Sequence, residues 1–331
     1  LEPRQYDVKI GIQLQGTGPA GQIKATTAAP AACPEQRIDE VRVERQGCGA
    51  QLRQLNVNAA QLILAAPGIV AGQTIAAAAH YRVTLFKQYG GYDRDQFPLE
   101  QPEGEKAFRR QYLYDSPGIQ TRFPEVRKLA AKVTDGCYHP WEKARAAYEW
   151  VWENIQGRAQ PYSSVMAAIR QGVGDCEERA AVFVAMCRIS QIPARLVWLP
   201  NHNWAEFHLT DEEGRGHWIP AHTSAYAWFG WTGAHELVLQ KGDAIHVPEK
   251  KQPQRLMADW MQWQGSRPKV RYLAELTPLP SAGSQDAGPG ARRKNEKGEW
   301  RRRGDHPLDE YLRDGLKSSQ APPDHLCVRE G

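Results

Sequence analysis

Three features of this chain predict an α+β fold in which helices pack on an antiparallel sheet and a β-rich region precedes them. Polar and apolar residues alternate through the first ninety positions with the two-residue period of strands. From Phe123 the apolar residues recur at helical spacing, and from Ala194 the sequence returns to short strand-like pieces. A run of helices followed by a run of strands places the two kinds of element in separate layers around one core.

The N-terminal strands are "YDVKIGIQL" (Tyr6 to Leu14), "IDEVRVE" (Ile38 to Glu44), "QLRQLNV" (Gln51 to Val57) and "HYRVTLF" (His80 to Phe86), each bounded by turn residues. Short, punctuated strands of this kind predict an immunoglobulin-like β-sandwich over residues 1–90. It carries no polar constellation suited to chemistry, so its expected part is packing or presentation of a substrate. Residues 91–120, rich in charge and proline ("YDRDQFPLEQPEGEKAFRRQ"), read as a connector.

Residues 121–248 form the expected functional domain. Its helices are "FPEVRKLAAKV" (Phe123 to Val133), "HPWEKARAAYEWVWENIQ" (His139 to Gln156), "SSVMAAIRQG" (Ser163 to Gly172) and one that starts at Cys176; its strands are "ARLVWLP", "HNWAEFHLT" and "GHWIPAHTS". "KVRYLAEL" (Lys269 to Leu276) adds a strand within a C-terminal extension, residues 249–280. Residues 281–331, dominated by Pro, Gly, Ser and charge, lack the apolar content for a core and are expected to be disordered.

With 41% hydrophobic and 24% charged residues the composition is that of a globular protein, and no run of 18 apolar residues offers a transmembrane segment. The formal charge of +4 is explained by "RRKNEKGEWRRR" (Arg292 to Arg303), which holds seven Lys or Arg against two Glu. That run reads as a solvated tail, so no specific nucleic-acid partner is expected. No charged and apolar leader follows Leu1; export, for instance to a periplasm, is the expectation, without a visible signal peptide. Six cysteines lack the paired spacing of zinc ligands, and nothing marks a calcium loop, so neither metal nor cofactor is expected. Cys33 and Cys48 either form a bridge or remain two free thiols.

Chemistry concentrates in "GVGDCEERAAVFVAMCRISQIPARLVWLP" (Gly172 to Pro200). Asp175 can cap the helix that Cys176 opens, and Gly174 permits the tight turn before it. A thiol over the unpaired N–H groups of a helix start is expected to have a lowered pKa. Cys187, in the apolar stripe of the same helix, reads as core, and about 16 Å at ~1.5 Å per residue separates it from Cys176, too far for a redox pair. His202 opens a later strand and is the candidate base for a nucleophile–base pair.

"GDCEERAAVFVAMCRISQIPARLV", then "HNWAEF", then "HWIP", resembles the transglutaminase-like superfamily of papain-like thiol enzymes. The family pattern runs roughly G-D-C, a helix, G-I-P-A-R-x-V, H-x-W-x-E-V and W-x-P-x-D. The likeness covers about Tyr112 to Pro248, and the β-rich region ahead resembles domains preceding this core in some bacterial members. It implies a Cys-His-Asp triad with the cysteine at a helix start and the other two on adjacent antiparallel strands. Cys176 and His202 match the first two positions, with Asp175, Trp204, Glu206 and Trp218 at supporting motif positions. At the third, "WIPAH" puts His222 where the family has Asp.

If "DEEG" (Asp211 to Gly214) turns the hairpin, residue numbers of opposing positions sum to roughly 425, which sets His202 near His222. Glu206, on the same strand face as His202, lies about 13 Å away at ~3.3 Å per residue, and Asp211 and Glu212 belong to the turn. Asp243 stays open as another third member. Five tryptophans (Trp198, Trp204, Trp218, Trp228, Trp231) surround this region, as core for the most part. The function expected is attack on a peptide or protein amide through a cysteine thioester, with hydrolysis favoured over crosslinking. Its alternative is a weak or inactive binding module that keeps the fold, because a histidine at position 222 brings no negative charge to the base.

Overall fold

The alternating N-terminal sequence becomes six antiparallel strands, β1 (Arg4–Gln15), β2 (Ala20–Ala29), β3 (Gln36–Gln46), β4 (Gly49–Asn56), β5 (Ala59–Ile69) and β6 (Thr74–Leu85). The structure, a computed structural model, describes residues 3–89, 91–224 and 228–280. The basic run and the tail expected to be disordered lie outside the described residues. No helix among the described residues is long and apolar enough to cross a membrane.

After β7 (Gln88–Tyr89) come α1 (Lys106–Tyr112), α2 (Pro124–Val133), α3 (Pro140–Asn154), β8 (Gln156–Gly157), α4 (Val165–Gln171), β9 (Val173–Gly174) and α5 (Cys176–Ile189). The chain continues through β10 (Ala194–Leu199), β11 (His202–Thr210), β12 (Gly216–Ala221), β13 (Trp231–Thr232), β14 (Gln240–Lys241), β15 (Trp260–Gly265) and β16 (Lys269–Pro278). The result is a mixed α+β chain with few helices and sheets that are antiparallel except for the short parallel pair β8–β9.

One sheet has the order β16-β1-β6-β3; the larger runs β12-β11-β10-β14-β5-β2-β15, with β4 also on β5. Alternate residues of β1, β2, β5 and β6, among them Ile10, Ile12, Ile23, Leu62, Leu64 and Ile75, share one apolar core. The late strands β15 and β16 return to this region, one on each sheet, as β15 pairs with β2 and β16 with β1. Through β14, which bonds to β5 on one side and β10 on the other, the larger sheet runs without a break from the N-terminal strands into the strands beside α5.

A second core sits between the helices and the face of β10–β12 that carries Leu196, Ala205, Phe207 and Ile219. α5 is buried all round from Glu178 to Arg188, as expected of a central helix wrapped by α2, α3, α4 and the sheet. Its charged end is satisfied internally: Arg188 donates to Asp243 at 2.7 Å, to the Ala194 carbonyl at 2.7 and 3.0 Å, and to the Tyr114 carbonyl and Ser116 at 2.8 Å.

The region read as a connector contains α1 and four aromatic anchors. Phe97 stacks on Trp141 at 5.9 Å, and Tyr92 meets His217 edge-on at 5.7 Å. Phe108 and Tyr112 both pack at 4.9 Å, against His208 and Trp218 respectively. Spaced singly among charges, these rings leave no periodic trace in the sequence.

Candidate active site

Cys176 is the first residue of α5. Asp175, in extended backbone conformation, caps the helix by accepting from Glu177 N at 2.8 Å, and the Glu178 carboxylate returns to accept from Asp175 N at 3.0 Å, a reciprocal capping box. Glu178 also accepts from Ser163 N at 2.7 Å and Ser163 Oγ at 2.9 Å, which ties the helix start to the irregular stretch before α4. Gly174 has to be glycine: a Cβ there would lie 2.6 Å from Glu178 Cβ and 3.3 Å from Ile155. The backbone N–H of Asn203, at the start of β11, is directed at the Cys176 sulfur, so the thiol lies against the strand that begins with His202.

His202 is placed by a two-residue hairpin. Leu199 pairs with His202 across Pro200 and Asn201, and Asn201 adopts φ 62°. Proline followed by asparagine in left-handed conformation suits a type II turn. β11 and β12 then pair with Ala205 opposite Ala221 and Glu206 opposite Pro220, one position from the register expected from the turn. In continuation, His222 falls opposite Trp204 and diagonal to His202, within reach of a ring. The imidazoles meet at 3.1 Å between the two Nε2 atoms, with ring centroids 4.9 Å apart. His222 is fully buried, its N–H bonded to the Trp228 carbonyl at 2.9 Å and its carbonyl accepting from the Tyr148 hydroxyl at 3.2 Å.

A carboxylate that the sequence does not single out joins them. Glu236 Oε1 lies 4.0 Å from His222 Nε2, and ligand atoms of His202, His222 and Glu236 all fall within 4.8 Å of one another. Burial pushes the Glu236 carboxyl up to about 7, against an opposing pull from the Trp204 indole. "GAHELVLQ" belongs to none of the motifs quoted above, and only the fold of residues 228–240 returns it to the histidines.

The other carboxylates are engaged elsewhere. Glu206, fully buried, binds Arg195 at 2.7 Å and Lys241 at 2.6 Å; Asp243 binds Arg188; Asp211 binds Arg215 at 2.9 Å and His217 at 2.7 Å. Trp204 is 1% exposed, and Trp218 stacks on the Arg195 guanidinium at 3.8 Å, so both serve packing. Trp198 and Trp228 are buried as well. Cys33 and Cys48 are free thiols.

The expectation of a lowered thiol pKa is corrected. Burial pushes Cys176 up to about 11; the Asn203 N–H favours the thiolate, while the charges of Asp175 and Glu177 oppose it. Capping with an aspartate and following with a glutamate gives back the advantage of the helix start. The resting group is therefore a thiol that needs a proton acceptor.

Two imidazoles and a carboxylate are also a donor set suited to a divalent transition metal. The 3.1 Å between the two Nε2 atoms suits a hydrogen bond, with one ring donating, and equally two ligands of one ion; the two arrangements exclude one another.

Residues 127–229 match the family model described as the transglutaminase-like superfamily. No curated protein matches the chain's sequence. Among solved structures, one from Cytophaga hutchinsonii, described as a candidate cysteine protease, is similar at 15% identity and TM-score 0.57, covering 89% of this chain and 96% of that one. At that identity the likeness shows the fold. Another, described as a candidate protease from Parabacteroides distasonis, is 14% identical over 63% of this chain and 42% of its own, with a TM-score of 0.28 too low to bear on the argument. Over residues 127–229 the chain is thus similar to the transglutaminase-like superfamily.

Proposed function

We propose that this protein is a thiol hydrolase of peptide or protein amides, with Cys176 as nucleophile, His202 as base, and His222 with Glu236 in the place of the family aspartate. The observation that supports it most is the 3.1 Å bond between His202 and His222 beside a thiol at a capped helix start. With His222 accepting at Nε2, His202 carries its proton on Nε2 and keeps a lone pair on Nδ1 for the thiol.

In this reading the Cys176 proton passes to His202 Nδ1 as the sulfur attacks the amide carbonyl. The oxyanion is stabilised by the Cys176 backbone N–H. Collapse breaks the C–N bond, the amine leaves with the proton from His202, and a thioester remains. Water, giving a proton to the same nitrogen, then opens the thioester to a carboxylic acid and the thiol. During both steps His202 is an imidazolium. His222 fixes its tautomer, and Glu236, close to the histidine pair, supplies the negative charge that a histidine cannot.

Hydrolysis over crosslinking accords with the description of the Cytophaga structure as a candidate protease. Residues 121–248 are the catalytic unit in this proposal, and residues 1–90 an immunoglobulin-like support.

The test is Cys176→Ala and His202→Ala, each assayed beside the parent on casein and on fluorogenic peptide amides. Both should abolish cleavage with little change in melting temperature. Retained cleavage in Cys176→Ala overturns the nucleophile. A folded parent that cleaves neither casein nor the peptide amides supports the alternative, a binding module; slow alkylation of Cys176 does not, because its buried thiol resists it in either reading.

A further inference from the structure

One turn beyond Cys176, on the same face of α5, stands Arg179. It is 8% exposed, yet among the described residues its guanidinium makes no ion pair and no hydrogen bond, and its Nε is sealed from solvent without a partner. A buried guanidinium ordinarily binds a carboxylate or several carbonyls, because leaving it unpaired costs several kcal/mol on the order of a buried ion's desolvation. The nearby acids are engaged otherwise: Glu178 with Asp175 and Ser163, Glu177 with Arg255.

Its neighbours include an indole and the backbone of Gly157, with the Tyr148 side chain near enough to act on its charge. Its guanidinium lies over the Trp152 indole at 4.9 Å, and Nη1 comes within 3.4 Å of where a Cβ on Gly157 would be. Helical side chains lean toward the N-terminus, so Arg179 inclines toward the turn that holds the thiol. A negative charge on the Cys176 sulfur would favour the charged guanidinium.

We propose that Arg179 is an anion-binding subsite beside Cys176 that takes a carboxylate of the substrate, so that the acyl donor is a peptide bearing a free carboxylate near the scissile amide. The indole fixes the guanidinium from one side and Nε is sealed, so the donors left for a carboxylate are those of the Nη atoms. The carboxylate could come from a chain terminus or from an acidic side chain. This specificity rests on the thiol-hydrolase reading.

The experiment measures binding to the full chain carrying Cys176→Ala, which prevents turnover. Three probes separate the sources: acetyl-tetra-alanine as the free acid, the same peptide as its amide, and an amide-capped acetyl-Ala-Ala-Glu-Ala. At least one carboxylate peptide should bind tenfold or more tighter than the neutral amide. Adding Arg179→Gln should erase that preference and Arg179→Lys should keep part of it, with near-ultraviolet circular dichroism reporting the fold. Equal affinity for all three, no measurable binding of any, or a preference that survives Arg179→Gln overturns the inference. Turnover by the parent is read separately. Cleavage without carboxylate preference removes only the subsite, and carboxylate preference without cleavage removes only the hydrolase.

Discussion

At the scale of single residues, the site is a set of groups whose charges are tuned by burial. Glu236 illustrates the conflict between stability and function. An unfolded glutamate loses its proton near 4.5, whereas burial holds this one to about 7. The folded state therefore binds the extra proton between those values, and its stability falls as pH rises through that window. The penalty above pH 7 is on the order of 3 kcal/mol. Glu236→Gln should raise the melting temperature at pH 8 and leave it nearly unchanged at pH 5. Turnover should fall about ten- to a hundredfold if the carboxylate stabilises the imidazolium. Thermal scans at the two pH values and kcat on a peptide amide check both, and an unchanged kcat would remove Glu236 from the mechanism.

His222→Asp follows from the same charges. Aspartate there restores the family's third residue but faces Glu236 in a site where position 222 is fully buried. Two carboxylates so placed share a proton, so the single variant should gain little. In His222→Asp with Glu236→Gln, one ionised acid faces His202 and turnover should exceed that of the single variant. Equal rates for the two would show that residue 222 does not orient the base.

At the scale of elements, the sequence reads clearly wherever one residue's chemistry dictates a local conformation. Asp175 announces the helix cap, and the G-D-C and H-x-W-x-E spacings the two elements that meet; the Glu178 half of the capping box and the Pro200–Asn201 turn emerge only in the fold. Hidden from the sequence were features made by tertiary return: Glu236, brought back by an irregular stretch, and the aromatic anchors of residues 91–120. The thiol's raised pKa was hidden too, because burial depends on packing that α5 acquires only in the fold. Gly174→Ala probes the legible part. A Cβ 2.6 Å from that of Glu178 forces the capping box apart, at about 1–3 kcal/mol of overpacking. The expected outcome is a lower melting temperature together with faster alkylation of Cys176 by iodoacetamide than in the parent, because opening the helix start relieves the burial that raises the thiol's pKa. Unaltered reactivity would mean that the helix start can shift without moving the thiol.

At the scale of the whole molecule, a buried ionic cluster joins the N-terminal strands to the strands of the site. Lys241 on β14 binds Glu35, just before β3, at 2.5 Å and Glu206 on β11 at 2.6 Å, and Arg195 on β10 binds the other oxygen of Glu206. All four are 5% exposed or less, and two cations balance two anions. Removing one charge leaves its partner uncompensated in the interior. Lys241→Met should therefore cost about 3–5 kcal/mol at neutral pH. Burial already raises the Glu35 pKa, and losing the lysine raises it further, so the folded variant takes up a proton there as the pH falls. The loss should accordingly be largest above neutrality and shrink toward pH 5, where a protonated Glu35 needs no cation. Lys241→Met with Glu35→Gln leaves only the Arg195–Glu206 pair, which is balanced, and should recover most of the stability at every pH. Denaturant midpoints of the parent and both variants at pH 5 and pH 8 decide it. A double variant as weak as the single one at pH 8 would show that Lys241 contributes packing between the two parts of the sheet instead of charge balance.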